Sequence, residues 1–201
     1  MAGGRVQLLG GELTGLPPHM RARAGVVRTF QNLQLFTNMT ALENVMTGAH
    51  RRLGYGVLSA VFKLPGYWRG EREAEAIARE CLAFVGLAEY ADSPAGDLPY
   101  GRQRLLEMAR ALAADPVLLL LDEPAAGLNP RETKALGRLI RRMRDERGVS
   151  VALVEHDMDL VMGISDEVTV LCFGRVIAHG TPREVQQNPE VVAAYLGGGD
   201  E

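Results

Sequence analysis

Two adjacent carboxylates, Asp122 and Glu123, follow four leucines in the run LLLLDEPAAGLNP, residues 118–130. An apolar run of this kind reads as a strand buried in a parallel sheet, and open α/β sheets bind ligands at the carboxyl ends of their strands. A first carboxylate at such an end can hold Mg²⁺ directly or through water, because magnesium takes few carboxylates together with phosphate oxygens. The neighbouring carboxylate faces a different way and can polarise an attacking water. Two ordinary surface acids at a strand end would read the same way, so the pair needs company.

Three further elements supply it. The strand in VSVALVEHD, residues 149–157, ends in His156, which a strand–helix–strand path brings to the sheet edge that carries Asp122. An imidazole there can contact a terminal phosphate or position the water; alone it would read as a loop histidine. Gln31 follows the strand GVVRTF and can bridge metal and water, or serve as a polar loop residue. In DLPYGRQRLLEMARAL, residues 97–112, a glycine just before a long amphipathic helix exposes amides and a positive helix end to phosphate. Four such elements in this order are far more specific than any one.

The elements that position them follow from pattern. Short strands are expected near 5–9 and 25–30, with a helical turn at 17–23. A capping box, Thr40-x-x-Glu43, opens a helix carrying Leu42, Val45 and Met46. The pattern breaks over 54–70, amid glycines, Pro65, Tyr55, Phe62, Tyr67 and Trp68, and helices return at 71–85 and 102–114. The second half alternates: strand 117–121, a helix capped by Asn129-Pro130-x-Glu132, strand 149–154, helix 158–164, strands 168–173 and 176–178, and two closing helices started at Thr181-Pro182 and Asn188-Pro189. Strand–helix–strand in one sheet implies right-handed crossovers and a doubly wound α/β core. Residues 1–39 and 115–201 form that core, and 40–114 a helical subdomain set into it.

Composition narrows the function. Net charge is −3 and pI about 5.9, so no basic field points to nucleic acid. Cys81 and Cys172 form no C-x-x-C pair, which argues against a metal or disulfide framework. The start, MAGGRVQLLGGE, has no secretory signature, and no apolar run reaches the ~20 residues of a membrane span.

With these residues in place, the chain resembles the ATP-binding subunits of ABC transporters. LLLLDEP is similar to the Walker B strand, which implies a magnesium role for Asp122 and a catalytic-base role for Glu123. His156 matches the switch histidine and Gln31 the glutamine loop that reports to the permease, with a share in holding Mg²⁺. LPYGRQ stands at the signature, which assigns Tyr100, Gly101, Arg102 and Gln103 to ATP, and AGLN, residues 126–129, stands at the D-loop with Asn129. The wording RTFQNLQLFTNMTALENV, EHDMDLVMGISD and NPEVVAAYLG is similar to the branched-chain amino acid importers, whose relatives also carry urea or short amides. The resemblance implies ATP and Mg²⁺ as cofactors. As partners it implies transmembrane permease subunits, a second ATP-binding subunit (a different one or a second copy) and, indirectly, an external binding protein. Its place would be the cytoplasmic face of the membrane, as a peripheral subunit.

Two departures accompany it. The sequence contains no Gly-Lys pair and hence no P-loop. The family carries that motif, its strand and an adenine-stacking aromatic ahead of the segment that opens this chain. The fold expected is therefore a P-loop NTPase-like parallel-sheet core with its N-terminal part incomplete, a gap in the sheet and exposed apolar edges. Such a chain would hold ATP poorly alone. It would act as a truncated ATPase, as a non-hydrolysing subunit docked on a permease, or as the donor of its signature to a partner's P-loop. Pro99 is the second departure. It stands where the family has a small residue, commonly serine, and proline offers neither hydroxyl nor N–H. The aromatic segment 55–68 reads as a loop packed on its own subdomain or as a patch for the permease or bilayer surface.

Overall fold

The computed structural model describes residues 4–29, 33–52 and 65–196. At its centre lies a parallel sheet of β3 (Val26–Arg28), β4 (Leu118–Asp122) and β5 (Ser150–Val154), with β4 in the middle. Val26 aligns with Leu118, and Leu118 with Ser150, so the three carboxyl ends finish level. Ahead of the sheet come a small hairpin, β1 (Gln7–Leu8) with β2 (Gly11–Glu12), and the short helix α1 (Pro18–Arg23). The strand expected near residues 5–9 is thus one arm of a separate hairpin.

Local chemistry sets the helix starts. Thr40 caps α2 (Ala41–Ala49): its Oγ1 accepts from the Glu43 amide at 3.1 Å, and its own amide donates to Glu43 Oε2 at 2.8 Å. Asn129 and Glu132 repeat the device at α5 (Pro130–Arg147), with proline in the first turn. Gly148 ends α5 at φ +66°, a left-handed value that glycine adopts without strain. One helix exceeds expectation. α3 runs over Pro65–Val85, partly within the region read as broken; proline suits a first turn, and Gly70 is buried.

Helices α2, α3 and α4 (Tyr100–Ala113) pack on one another, and their core runs into the sheet without interruption. Val45, Leu82, Leu106, Met108, Leu119, Leu121, Leu136 and Met143 belong to that single cluster. Leu119 and Leu121 of β4 are buried, whereas Leu118 and Leu120 on its opposite face are half-buried, because that face has a thinner cover.

The C-terminal part departs from a single doubly wound sheet. Helix α6 (Met158–Ile164) follows β5. Then β6 (Val168–Cys172) and β7 (Arg175–Gly180) pair antiparallel with each other and, among the described residues, with no other strand. The connection is a tight two-residue turn, Phe173 at φ +47° and Gly174 at +77°, whose twist matches an antiparallel hairpin. A second, smaller core of Val161, Val168, Ala178, Val185 and Val191 ties the hairpin to α6, α7 (Pro182–Gln186) and α8 (Pro189–Leu196). Between β5 and β6 lies an open groove of about 830 Å³, lined by all five residues of β5. Among the described residues no strand pairs with the edges of β5 and β6 that face it.

Candidate active site

The carboxyl ends of β4 and β5 bring the predicted acid pair and histidine together. The ladder continues one residue beyond β4, since the Glu123 amide donates to the Val154 carbonyl at 2.9 Å. Glu123 itself has φ +44°. A left-handed residue with a side chain costs roughly 1–2 kcal/mol, and such strain gathers at functional sites. Glu123 Oε1 lies 3.9 Å from His156 Nδ1, too far for a direct hydrogen bond and suited to an intervening water. The imidazole is 76% exposed and the Glu123 side chain 32%, so both are open to a ligand arriving at this edge.

Glu155, which sequence reasoning passed over, anchors this edge. Its side chain is 1% exposed. Oε1 accepts from the Ala125 amide at 2.8 Å, and Oε2 from the His156 amide at 3.1 Å. One buried carboxylate therefore ties the loop after Asp122–Glu123 to the loop that presents His156. A signal for it existed: Val151, Leu153 and Glu155 share the inward phase of β5, and an acid on an inward phase must find donors.

Arg28 on β3 is the second residue missed. Its Nη2 meets Asp122 Oδ2 at 2.8 Å, a charge-assisted contact across neighbouring strands. Asp122 is 34% exposed and already faces positive charge. Among the described residues no group of three or more His, Cys, Asp or Glu gathers to hold a metal. Asp122 is the carboxylate at this strand end that could hold a magnesium ion together with phosphate oxygens. Gln31, the other predicted ligand, lies outside the described residues.

The remaining predicted residues cluster at the start of α4 and in the loop 125–129. Gly101 is the second residue of α4 and does not precede it, as the sequence reading expected. Pro99 O accepts from the Arg102 and Gln103 amides, at 2.8 and 3.0 Å. The amides of Tyr100 and Gly101 then meet no acceptor among the described residues, the condition in which a helix start receives an anion. Side chains have local tasks. The Arg102 guanidinium stacks 4.1 Å above the Tyr90 ring, and Gln103 Nε2 donates to Ala95 O at 3.2 Å. Asn129 Oδ1 accepts from the Arg131 and Glu132 amides, capping α5.

Tyr100 links signature to loop. Its hydroxyl donates to Ala126 O at 3.1 Å and accepts from Arg104 Nη2 at 3.1 Å. Arg104 in turn donates from Nη1 to Glu107 Oε2 at 3.0 Å, a pair 1% and 2% exposed. Gly127, at φ +78°, lies so close to the Tyr100 ring that a Cβ would come within 2.9 Å of Cε1. The loop 125–129 is thereby held from both sides, by Glu155 at Ala125 and by Tyr100 at Ala126. Of the aromatic segment, Tyr55 and Phe62 lie outside the described residues. Tyr67 and Trp68 sit on α3 in edge-to-face contact, centroids 5.4 Å apart, with Trp68 52% exposed.

The comparisons give the class of this parallel sheet and its helical unit. The structure matches the ADP conformation of MJ1267, an ATP-binding cassette of an ABC transporter, with TM-score 0.79 and 30% identity over 97% of this chain and 77% of that one. A family model described as ABC transporter matches residues 1–126, and one described as branched-chain amino acid ATP-binding cassette transporter matches 175–201. The chain belongs to the ABC transporter family. It is 51% identical, over 97% of its length and 76% of the relative's, to the high-affinity branched-chain amino acid transport ATP-binding protein BraF of Pseudomonas aeruginosa. It is 47% identical to LivG of Escherichia coli, which bears the same description, with the same coverage.

Proposed function

We propose that this chain couples ATP hydrolysis to the import of branched-chain amino acids, as a subunit seated on transmembrane permease subunits beside a second ATP-binding subunit. The observation that carries the reading is the edge where Asp122 and Glu123 end β4, with His156 Nδ1 3.9 Å from Glu123 Oε1. Asp122 is the residue that would hold magnesium, whose charge screens the phosphates when ATP is bound. Glu123 orients and polarises the attacking water, and His156 contacts the terminal phosphate and keeps that water in line. Glu155 fixes the two loops so that their spacing is set before nucleotide arrives. Tyr100 and Gly101 present the start of α4 to phosphate across a dimer, while Arg102, Gln103 and Asn129 shape that surface. Identity of 51% and 47% to subunits named for branched-chain amino acids supports the cargo class. No helix among the described residues is long and apolar enough to cross a membrane.

The test is uptake in vesicles holding the permease subunits, the second ATP-binding subunit and this chain. Leucine should accumulate only with ATP, and its binding protein should raise ATP hydrolysis and uptake together. Accumulation of urea or short amides in place of leucine would reassign the cargo. Undiminished uptake with Glu123→Gln would make this a docking subunit that hydrolyses nothing.

A further inference from the structure

Arg28 ends β3 level with Leu120 of β4, and side chains at level positions of paired parallel strands share a face. Asp122 lies two residues further along that face, so the guanidinium reaches forward to it at the carboxyl end of the sheet. The Thr29 amide donates to Leu120 O at 3.0 Å, which holds the end of β3 against β4 and fixes the point from which Arg28 reaches. Nη2 then meets Oδ2 at 2.8 Å. The side chains are 56% and 34% exposed, and ion pairs so open to water add little to stability. The consequence of the contact lies in the carboxylate itself. Oδ2 is engaged by a cation fixed to the neighbouring strand, while among the described residues no donor meets Oδ1.

We propose that Arg28 is a positioning residue that sets the metal affinity of Asp122. It holds Oδ2, offers Oδ1 alone to a divalent cation, and sets its own positive charge against that cation. A lone carboxylate attracts any divalent ion, whereas one paired with a guanidinium has its charge already balanced. Magnesium also gives up water reluctantly and binds well where phosphate oxygens join the carboxylate. The Arg28–Asp122 pair therefore discriminates between a bare cation and one that arrives with nucleotide phosphates, which bring the missing ligands and the missing negative charge. The proposal rests on the reading of Asp122 as the metal-holding carboxylate and adds that β3, through Arg28, tunes what that carboxylate accepts.

The experiment uses the full 201-residue chain, isotopically labelled for NMR, with Mn²⁺ as the probe because its unpaired electrons broaden nearby amide signals. Broadening at the Leu121 and Asp122 amides is followed against Mn²⁺ concentration without nucleotide, and Asp122→Asn identifies the part that belongs to that carboxylate. Arg28→Gln removes the charge and should lower the Mn²⁺ midpoint roughly tenfold. Arg28→Lys keeps a charge on a flexible stem, and its midpoint should stay within about threefold of wild type. Exchange of the Thr29 amide, which reports the β3–β4 pairing, should be alike in every variant. The proposal is overturned by an unchanged or raised midpoint in Arg28→Gln, or by a midpoint that falls only where exchange at Thr29 quickens, the mark of a merely structural pair. In either case broadening that is lost in Asp122→Asn would leave the metal role of Asp122 standing. Broadening that survives Asp122→Asn would withdraw that role, and the proposal with it.

Discussion

The junction of α4 with the loop 125–129 and the edge formed by β4 and β5 lie next to each other along the chain, yet they are built differently. At the junction, side chains are engaged within the protein: Tyr100 with Ala126 and Arg104, Arg104 with Glu107, Gln103 with Ala95, Asn129 with the start of α5. At the edge, His156 is three-quarters exposed and stands 3.9 Å from both Glu123 and Glu155, and Glu123 takes a left-handed backbone conformation. A set of interlocked bonds gives stiffness. An open, strained, charged edge gives a place where a ligand's arrival changes the energy. Under the proposed function the junction supplies geometry and the edge supplies chemistry, with Glu155 joining the two.

Substitutions on the two sides should separate cleanly. The largest effect belongs to His156→Ala, expected to slow ATP turnover of the assembled importer by roughly 10²-fold or more. Because the imidazole is exposed, the melting temperature should be unchanged; a large drop would move His156 to the structural side. Glu155→Ala should lower both. It strands the Ala125 and His156 amides at about 1–3 kcal/mol for each that finds no water, visible in urea titration. Glu155→Gln keeps an acceptor and should recover part of the loss.

Tyr100→Phe sharpens the comparison from the junction side. It removes a hydroxyl that joins Arg104 to Ala126, worth about 0.5–1.5 kcal/mol net, and equilibrium unfolding should record that loss with little change in single-turnover rate. A selective loss of turnover would draw the junction into the chemistry. The smallest effect is set by pH. Burial pushes the Cys81 thiol up from 9.0 to about 11, so it stays protonated at neutral pH. Its contribution to stability is complete below pH 9.0 and is lost as pH climbs toward about 11. Iodoacetamide at pH 8 should therefore label the half-buried Cys172 well before Cys81.

Some of this was legible in the sequence, for local reasons. Helices opened by Thr40, Asn129 and Thr181 were readable because a cap and its partner lie within a turn of each other. The carboxylate pair and His156 stood out because strand ends in an alternating pattern converge on one edge. Glu155 could be read as an acid on an inward phase, but its donors, the Arg28–Asp122 pair and the Arg104–Tyr100–Ala126 connection were not legible. Their partners lie 30, 94 and 26 residues away, and nothing local tells a buried carboxylate's donor from a surface one. The pairing of β6 with β7 was lost for another reason. Their shared alternation suits parallel and antiparallel partners alike, and only the Phe173–Gly174 turn decides.

The most direct measurement is the nucleotide recovered from the assembled importer carrying Glu123→Gln after incubation with Mg²⁺ and ATP. If Glu123 polarises the attacking water, the bound nucleotide is intact ATP while the wild-type complex yields ADP. Bound ADP in the variant, formed at the wild-type rate, would contradict the assignment of hydrolysis to this edge.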